Sequence, residues 1–240
     1  MPEHISPKEL KRDRFVETVE HGAEYAFSHA RNVWLTVGAA ALILAAVFGW
    51  RFWSAQQSQK ASIALDDAMK TFQARIRAPG EPEEPGETTF VVEKIKYQEA
   101  QKKFDAVARE YSLTQQGTFA RYYSALCALH LNEPDKAGAD LRSLASGSDA
   151  EVASLAKLSL AEMASEAGKT DEAAKYLTDL IDHPTALVPK ARAEMALAAL
   201  YHKTKPAEAA RLYQQIKKEF PESPLAEEAD RKLSELGPSS

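Results

Sequence analysis

Apolar positions recur every three or four residues along most of this chain, the spacing of an α-helix with one buried face. One stretch breaks that rhythm. From Val33 to Trp50 no residue is charged, and Thr36 supplies the only side-chain hydroxyl. These eighteen residues span roughly 27 Å as a helix, close to the hydrocarbon thickness of a bilayer. The core helix of a soluble protein carries a polar stripe, and this run has none. All three tryptophans, Trp34, Trp50 and Trp53, stand at its ends, where indoles favour the membrane boundary. The stem of Arg51 is long enough to snorkel to the headgroups. A cleaved export signal needs a short basic start and small residues before the cut. Here about thirty mostly polar residues come first, and a cut after Ala55 would set Trp53 where a small residue is required. The pattern predicts a retained transmembrane helix over 32–53.

On either side the helical period returns. Ser6, Pro7 and Glu9 form a helix start, with Ser6 as N-cap and Glu9 three residues later. Phe15, Val16, Val19, Ala23, Ala26 and Phe27 then follow at helical spacing. Residues 1–31 are therefore expected to hold a short amphipathic helix, either resting on the membrane surface or serving as a solvated lead-in. Past the span, Ser54 to Arg77 lacks proline and glycine, and Ile63, Ala64, Met69, Phe72 and Ile76 mark a helical face. The acidic, Pro- and Gly-rich segment 78–90 stops helices and reads as an exposed connector.

From Val91 onward the pattern repeats. Ala100, Ala137, Ala173 and Ala209 are separated by 37, 36 and 36 residues. Four positions after each stands a large residue: Phe104, Leu141, Leu177 and Tyr213. Three positions later come Val107, Leu144, Leu180 and Ile216. A small residue lets a neighbouring helix approach, and the large one fills the gap between helix pairs. Helical stretches at Gln116–Leu131, Glu151–Ala167 and Val188–Lys203 precede the last three of these segments. Period and pairing match the tetratricopeptide repeat, a helix–turn–helix unit of about 34 residues. Leu160, Ala161, Gly168 and Ala173 occupy its leucine, small-residue, turn and central-alanine places. The longer period, Ser124 in place of leucine and the missing aromatic early in the first helix are departures, and leave a related helical-hairpin solenoid open. The expected fold is all-α: one transmembrane helix, then a tetratricopeptide-like α-solenoid over 54–236. It has about four hairpins, the first pairing 58–77 with 91–110, a capping helix at 223–236, and a disordered tail at 237–240.

Composition narrows the function. Net charge −5 offers no basic footprint for nucleic acid. Cys127 is the lone cysteine, and the six histidines share no metal-ligand spacing. No nucleophile-elbow, phosphate-loop or paired-carboxylate motif occurs, so neither an enzyme nor a cofactor is expected. The repeats instead offer a surface. In this register the first helix of each pair would expose Tyr122, Leu126, Leu129 and His130; then Leu158, Glu162, Ser165 and Glu166; then Glu194, Ala198, Tyr201 and His202. Such a groove mixes apolar contacts with three carboxylates and suits an unfolded or basic polypeptide, although the same apolar side chains also serve for packing against the second helix. In the span, Ala41, Ala45 and Gly49 form a stripe of small residues that admits a second helix, from another protein or another copy of this chain. Lys11, Arg12, Arg14 and Arg31 precede the span, against Arg51, Lys60 and Lys70 after it, an asymmetry that favours a cytoplasmic N-terminus.

A short charged N-terminus, one span ending in "GWRFWSAQQSQKAS" (Gly49–Ser62), and a repeat domain rich in "EA" pairs resemble the YfgM-like family of ancillary SecYEG translocon subunits. The likeness covers residues 15–236. It implies a single-pass bacterial inner-membrane protein with a periplasmic tetratricopeptide-type domain. Its implied partners are Sec translocon subunits, exported polypeptides and a membrane-bound periplasmic chaperone such as a prolyl isomerase. No catalysis is implied. The 78–90 loop and the longer cytoplasmic segment depart from the family's pattern. The alternative expectation is an envelope scaffold for cell-division or outer-membrane assembly complexes.

Overall fold

The computed structural model describes residues 30–82, 86 and 88–236, with side chains from Trp34 onward. The amphipathic helix expected within 1–31 and the tail at 237–240 lie outside the described residues. The chain divides into two compact units between Gln56 and Gln57, a boundary that falls inside helix α1 (Ala30–Gln73).

In the first unit every side chain from Trp34 to Trp53 is exposed, and Leu42, Phe48 and Phe52 are 73%, 73% and 76% accessible. α1 is long and apolar enough to cross a membrane, and none of its apolar window is buried inside the protein. A core helix would hide these side chains against protein; here nothing among the described residues covers them.

The second unit begins with the rest of α1, followed by two short strands, β1 (Arg75–Ile76) and β2 (Thr89–Phe90). Eight helices follow among the described residues: α2 (Glu93–Glu110), α3 (Gln115–His130), α4 (Pro134–Ala145), α5 (Ala150–Glu166), α6 (Thr170–Asp182), α7 (Lys190–Tyr201), α8 (Pro206–Glu219) and α9 (Pro224–Leu236). Apart from the two-residue strands the fold is all-α, a solenoid of hairpins α1/α2, α3/α4, α5/α6 and α7/α8 closed by α9.

Local chemistry sets the helix ends. Thr114 accepts the Gly117 amide at 3.1 Å, and Asp149 accepts the amides of Glu151 and Val152 at 3.1 and 3.2 Å, satisfying donors that a first helical turn leaves orphaned. The turns inside two hairpins are one motif used twice. Asn132 and Gly168 take left-handed backbones with φ of 62° and 72°. The amides after them, Glu133 and Lys169, return to Ala128 and Ala164 carbonyls at 2.8 Å each, which is the Schellman closure.

Packing follows the repeated ridge. Ala100, Ala137, Ala173 and Ala209 are wholly buried, and no large or apolar residue that follows them on the ridge is more than 5% accessible. The two larger ridge side chains of each repeat sit in a hydrophobic cluster of their own with side chains of the flanking helices. Burial of each large ridge side chain is worth roughly 1.5–3 kcal/mol relative to exposure. Phe72, near the end of α1, meets Tyr97 and Phe104 of α2 edge-on at 5.7 and 6.0 Å, completing the first hairpin. Ser124 is buried at the usual leucine place because its hydroxyl donates to Asp105 on α2 of the preceding hairpin.

One local expectation is corrected. Ile76 belongs to no helical face: α1 ends at Gln73, and Arg75–Ile76 pairs in parallel with Thr89–Phe90. The Arg77 amide adds a bond to the Phe90 carbonyl at 2.9 Å. Glu81 holds the start of the connector, accepting from Arg75 at 2.8 Å and from the Ala78 amide at 2.9 Å. The two ends of the proline-rich segment are thus tied together where it joins the helices.

Candidate functional site

The repeat period places Tyr122, Leu158 and Glu194 at equivalent positions in α3, α5 and α7, and side-chain size makes each behave differently. Tyr122 is buried and shares a 3.1 Å hydrogen bond with Ser159. It reaches from α3 to α5 and seals the space between them. Leu158 is too short to do the same toward α7. A cleft of about 370 Å³ therefore opens between α5, α6 and α7, lined by Leu158, Ala161, Leu177 and Leu200, with Glu162 and Glu166 on its wall.

Glu162 and Glu166 stand one helical turn apart, and both are exposed. Partial desolvation by the cleft wall raises the Glu162 pKa above the usual carboxylate value; Arg192 opposes the shift and Glu166 adds to it. A second cleft of about 560 Å³ shares Ser165, Ala199 and Leu200 with the first and is lined further on by His202, Lys203, Tyr213 and Lys232. Charge changes sign along this face, carboxylates at one end and amines at the other. A third cleft of about 380 Å³ lies between the second-unit part of α1 and α3, where Leu65, Met69 and Phe119 meet Asp66, Gln115 and Gln116.

The twelve groove positions read from the sequence separate by repeat. In α5, Leu158 forms part of the cleft floor, and Glu162, Ser165 and Glu166 line it. In α3 the expectation of exposure is corrected for Tyr122, which is buried against Ser159. Leu126 is half-buried against the cluster holding Leu141 and Leu160, and Leu129 is half-buried. His130 stacks flat on Tyr97 with ring centroids 3.9 Å apart, and burial lowers its pKa below the usual histidine value.

In α7 the exposed face is rotated from the expected one. Glu194 is 1% accessible and Ala198 fully buried, because this side of α7 packs on α8 and α9. Tyr201 and His202 are half-buried; Lys205 lies over the Tyr201 ring at 4.6 Å, and His202 approaches the Tyr213 hydroxyl at 3.5 Å. The side chains of α7 that line the clefts are Ala196, Ala199 and Leu200. With Lys203 they form a stripe at helical spacing that the sequence displays, but small alanines carry little contrast in a hydrophobic pattern.

Glu194 has a further peculiarity. Its Oε1 accepts from Gln215 at 2.9 Å and lies 3.4 Å from the Lys190 amine, while its Oε2 is buried and, among the described residues, without a partner. Burial pushes its pKa up, against the pull of Lys190.

Cys127 is not reactive material. It is fully buried in the first hairpin's cluster, and burial pushes its thiol up to about 12. In the first unit, Ala41, Ala45 and Gly49 are exposed, and a side chain added at Gly49 would meet open space.

A family model described as a tetratricopeptide repeat-like domain matches residues 29–237. No curated protein and no solved structure matches the chain.

Proposed function

The chain belongs to the tetratricopeptide repeat-like domain family, and from that premise we propose that it is a non-catalytic protein–protein interaction module anchored in a bacterial inner membrane. The observation that carries this reading is the open cleft at Leu158, Glu162 and Leu200, in a solenoid whose ridge positions are otherwise tightly packed. Stacked helical pairs of this kind present extended surfaces for binding proteins. Support for the anchor comes from the exposed apolar side chains of Trp34–Trp53, which lipid would cover at no polar cost. The excess of Lys and Arg before the span supports a cytoplasmic N-terminus and a periplasmic repeat domain.

The finer reading follows from the resemblance at Gly49–Ser62. The anchor associates with Sec translocon subunits, and the clefts meet exported polypeptides or a periplasmic chaperone. Tethering raises the effective concentration of the clefts at the channel without adding any contact.

In-cell photocrosslinking from Ala45 and from Leu200 tests both levels. The expected result is a channel subunit captured from Ala45 and many exported polypeptides captured from Leu200. Capture of one stoichiometric envelope protein from both positions would replace the export role with a fixed scaffold. Recovery of the protein in the soluble fraction after alkaline washing would remove the anchor itself.

A further inference from the structure

We infer that the cleft between α5 and α7 selects an extended polypeptide segment in which a single lysine or arginine adjoins an aliphatic side chain. The inference rests on the reading of this face as a protein-binding surface and names what that surface prefers.

The floor is apolar. Leu158 and Leu177 rise from α5 and α6, and Leu200 closes the opposite side. This matches an aliphatic side chain, whose burial there removes apolar surface from water on both partners. The wall is anionic. Among the described residues neither Glu162 nor Glu166 makes a hydrogen bond or an ion pair, and Arg192, whose charge acts on Glu162, donates to the Leu187 carbonyl at 3.3 Å. Two unpaired carboxylates beside an apolar floor repel an acidic segment and favour a cationic one.

The neighbouring cleft restricts the choice further. Beyond Ser165 and Leu200 the lining carries Lys203 and Lys232. Lys232 is held by Glu235 at 2.9 Å, whereas Lys203 makes no ion pair among the described residues. A segment with a run of cations would place some of them against Lys203. One basic residue at the α5 end, followed by neutral or acidic residues, satisfies both clefts. An acyl chain would fill the floor but leave both carboxylates facing hydrocarbon.

The test uses the full chain in lipid nanodiscs and fluorescein-labelled peptides read by polarisation: GSKLVSG, its acidic counterpart GSELVSG, and GSKSTSG, which lacks the aliphatic pair. The unaltered protein should bind GSKLVSG about tenfold tighter than either of the others, the scale of two modest ion pairs or one buried aliphatic group. Neutralising the wall with Glu162→Gln and Glu166→Gln should abolish the charge preference. Reversing it with Glu162→Lys and Glu166→Lys should transfer the preference to GSELVSG, which a loss of folding would not do. Equal binding of GSKLVSG and GSELVSG by the unaltered protein overturns the inference, as does a preference that survives the reversal. If that happens while Leu200 still crosslinks to polypeptides, the interaction module stands and only its selectivity falls.

Discussion

Glu194→Leu should make this protein more stable. At the equivalent positions of the two preceding repeats stand Tyr122 and Leu158, both buried, so the site is built to receive a large uncharged side chain. Glu194 instead brings a carboxylate that is 1% accessible and has one oxygen with no partner among the described residues. An unsatisfied buried acceptor costs about 1–3 kcal/mol, and the hydrogen bond from Gln215 returns roughly 1 kcal/mol. The leucine variant forfeits that bond but strands neither neighbour. Lys190 keeps Glu219 at 2.6 Å, and Gln215 keeps Glu219 at 3.0 Å. Replacing a buried ionic group by a hydrophobe of similar volume is often neutral or stabilising. The net expectation is a gain of about 1 kcal/mol at neutral pH.

The sign of the pH dependence follows from the raised Glu194 pKa. A carboxyl whose folded pKa exceeds its unfolded one favours the folded state fully below the unfolded value. That contribution is lost as pH rises through the folded value. The advantage of the variant should therefore be largest at neutral pH and shrink as the medium is acidified toward the ordinary glutamate range. Urea unfolding of the detergent-solubilised protein, followed by circular dichroism at matched pH values, measures both effects. Loss of stability in the variant at neutral pH, or an advantage that does not fall in acid, would refute the reasoning. Either result would mean that the second carboxylate oxygen is satisfied in the folded protein.

Three other outcomes are expected. Tyr122→Phe removes the bond to buried Ser159 and should cost about 1–2 kcal/mol in the same unfolding assay, with little change in helix content. Ala173→Leu forces a large side chain onto a fully buried ridge position and should cost about 1–3 kcal/mol or more; an unchanged unfolding midpoint would show that the hairpins do not approach as closely as described. Cys127, fully buried and with its thiol pushed up to about 12, should resist maleimide labelling in the native protein and react promptly once urea unfolds it. Rapid native labelling would mean that α3 parts readily from the first hairpin.

The repeat architecture was written in the chain because one requirement recurs in every hairpin. A small residue must sit where helices touch, and large ones must fill the space four and seven positions on, whatever the opposite face carries. Ala137, Leu141 and Leu144 obey it as Ala209, Tyr213 and Ile216 do, so periodicity alone located the helices and their buried side. The apolar run at Val33–Trp50 was legible for a similar reason: its length and lack of charge are properties of the chain itself. Which side chains stay open was not. Tyr122 and Leu158 look alike in a hydrophobic pattern, but only the first is long enough to reach the first helix of the following hairpin, at Ser159 on α5, and seal the gap. Glu194 reads as a surface residue until α7 is seen to turn that side toward Gln215 on α8. Pairing of Arg75–Ile76 with Thr89–Phe90 was equally hidden, since two residues are too few to show a period. Openness in a solenoid depends on the distance between neighbouring helices and on the length of whatever projects across it, and both are settled only when the helices have packed.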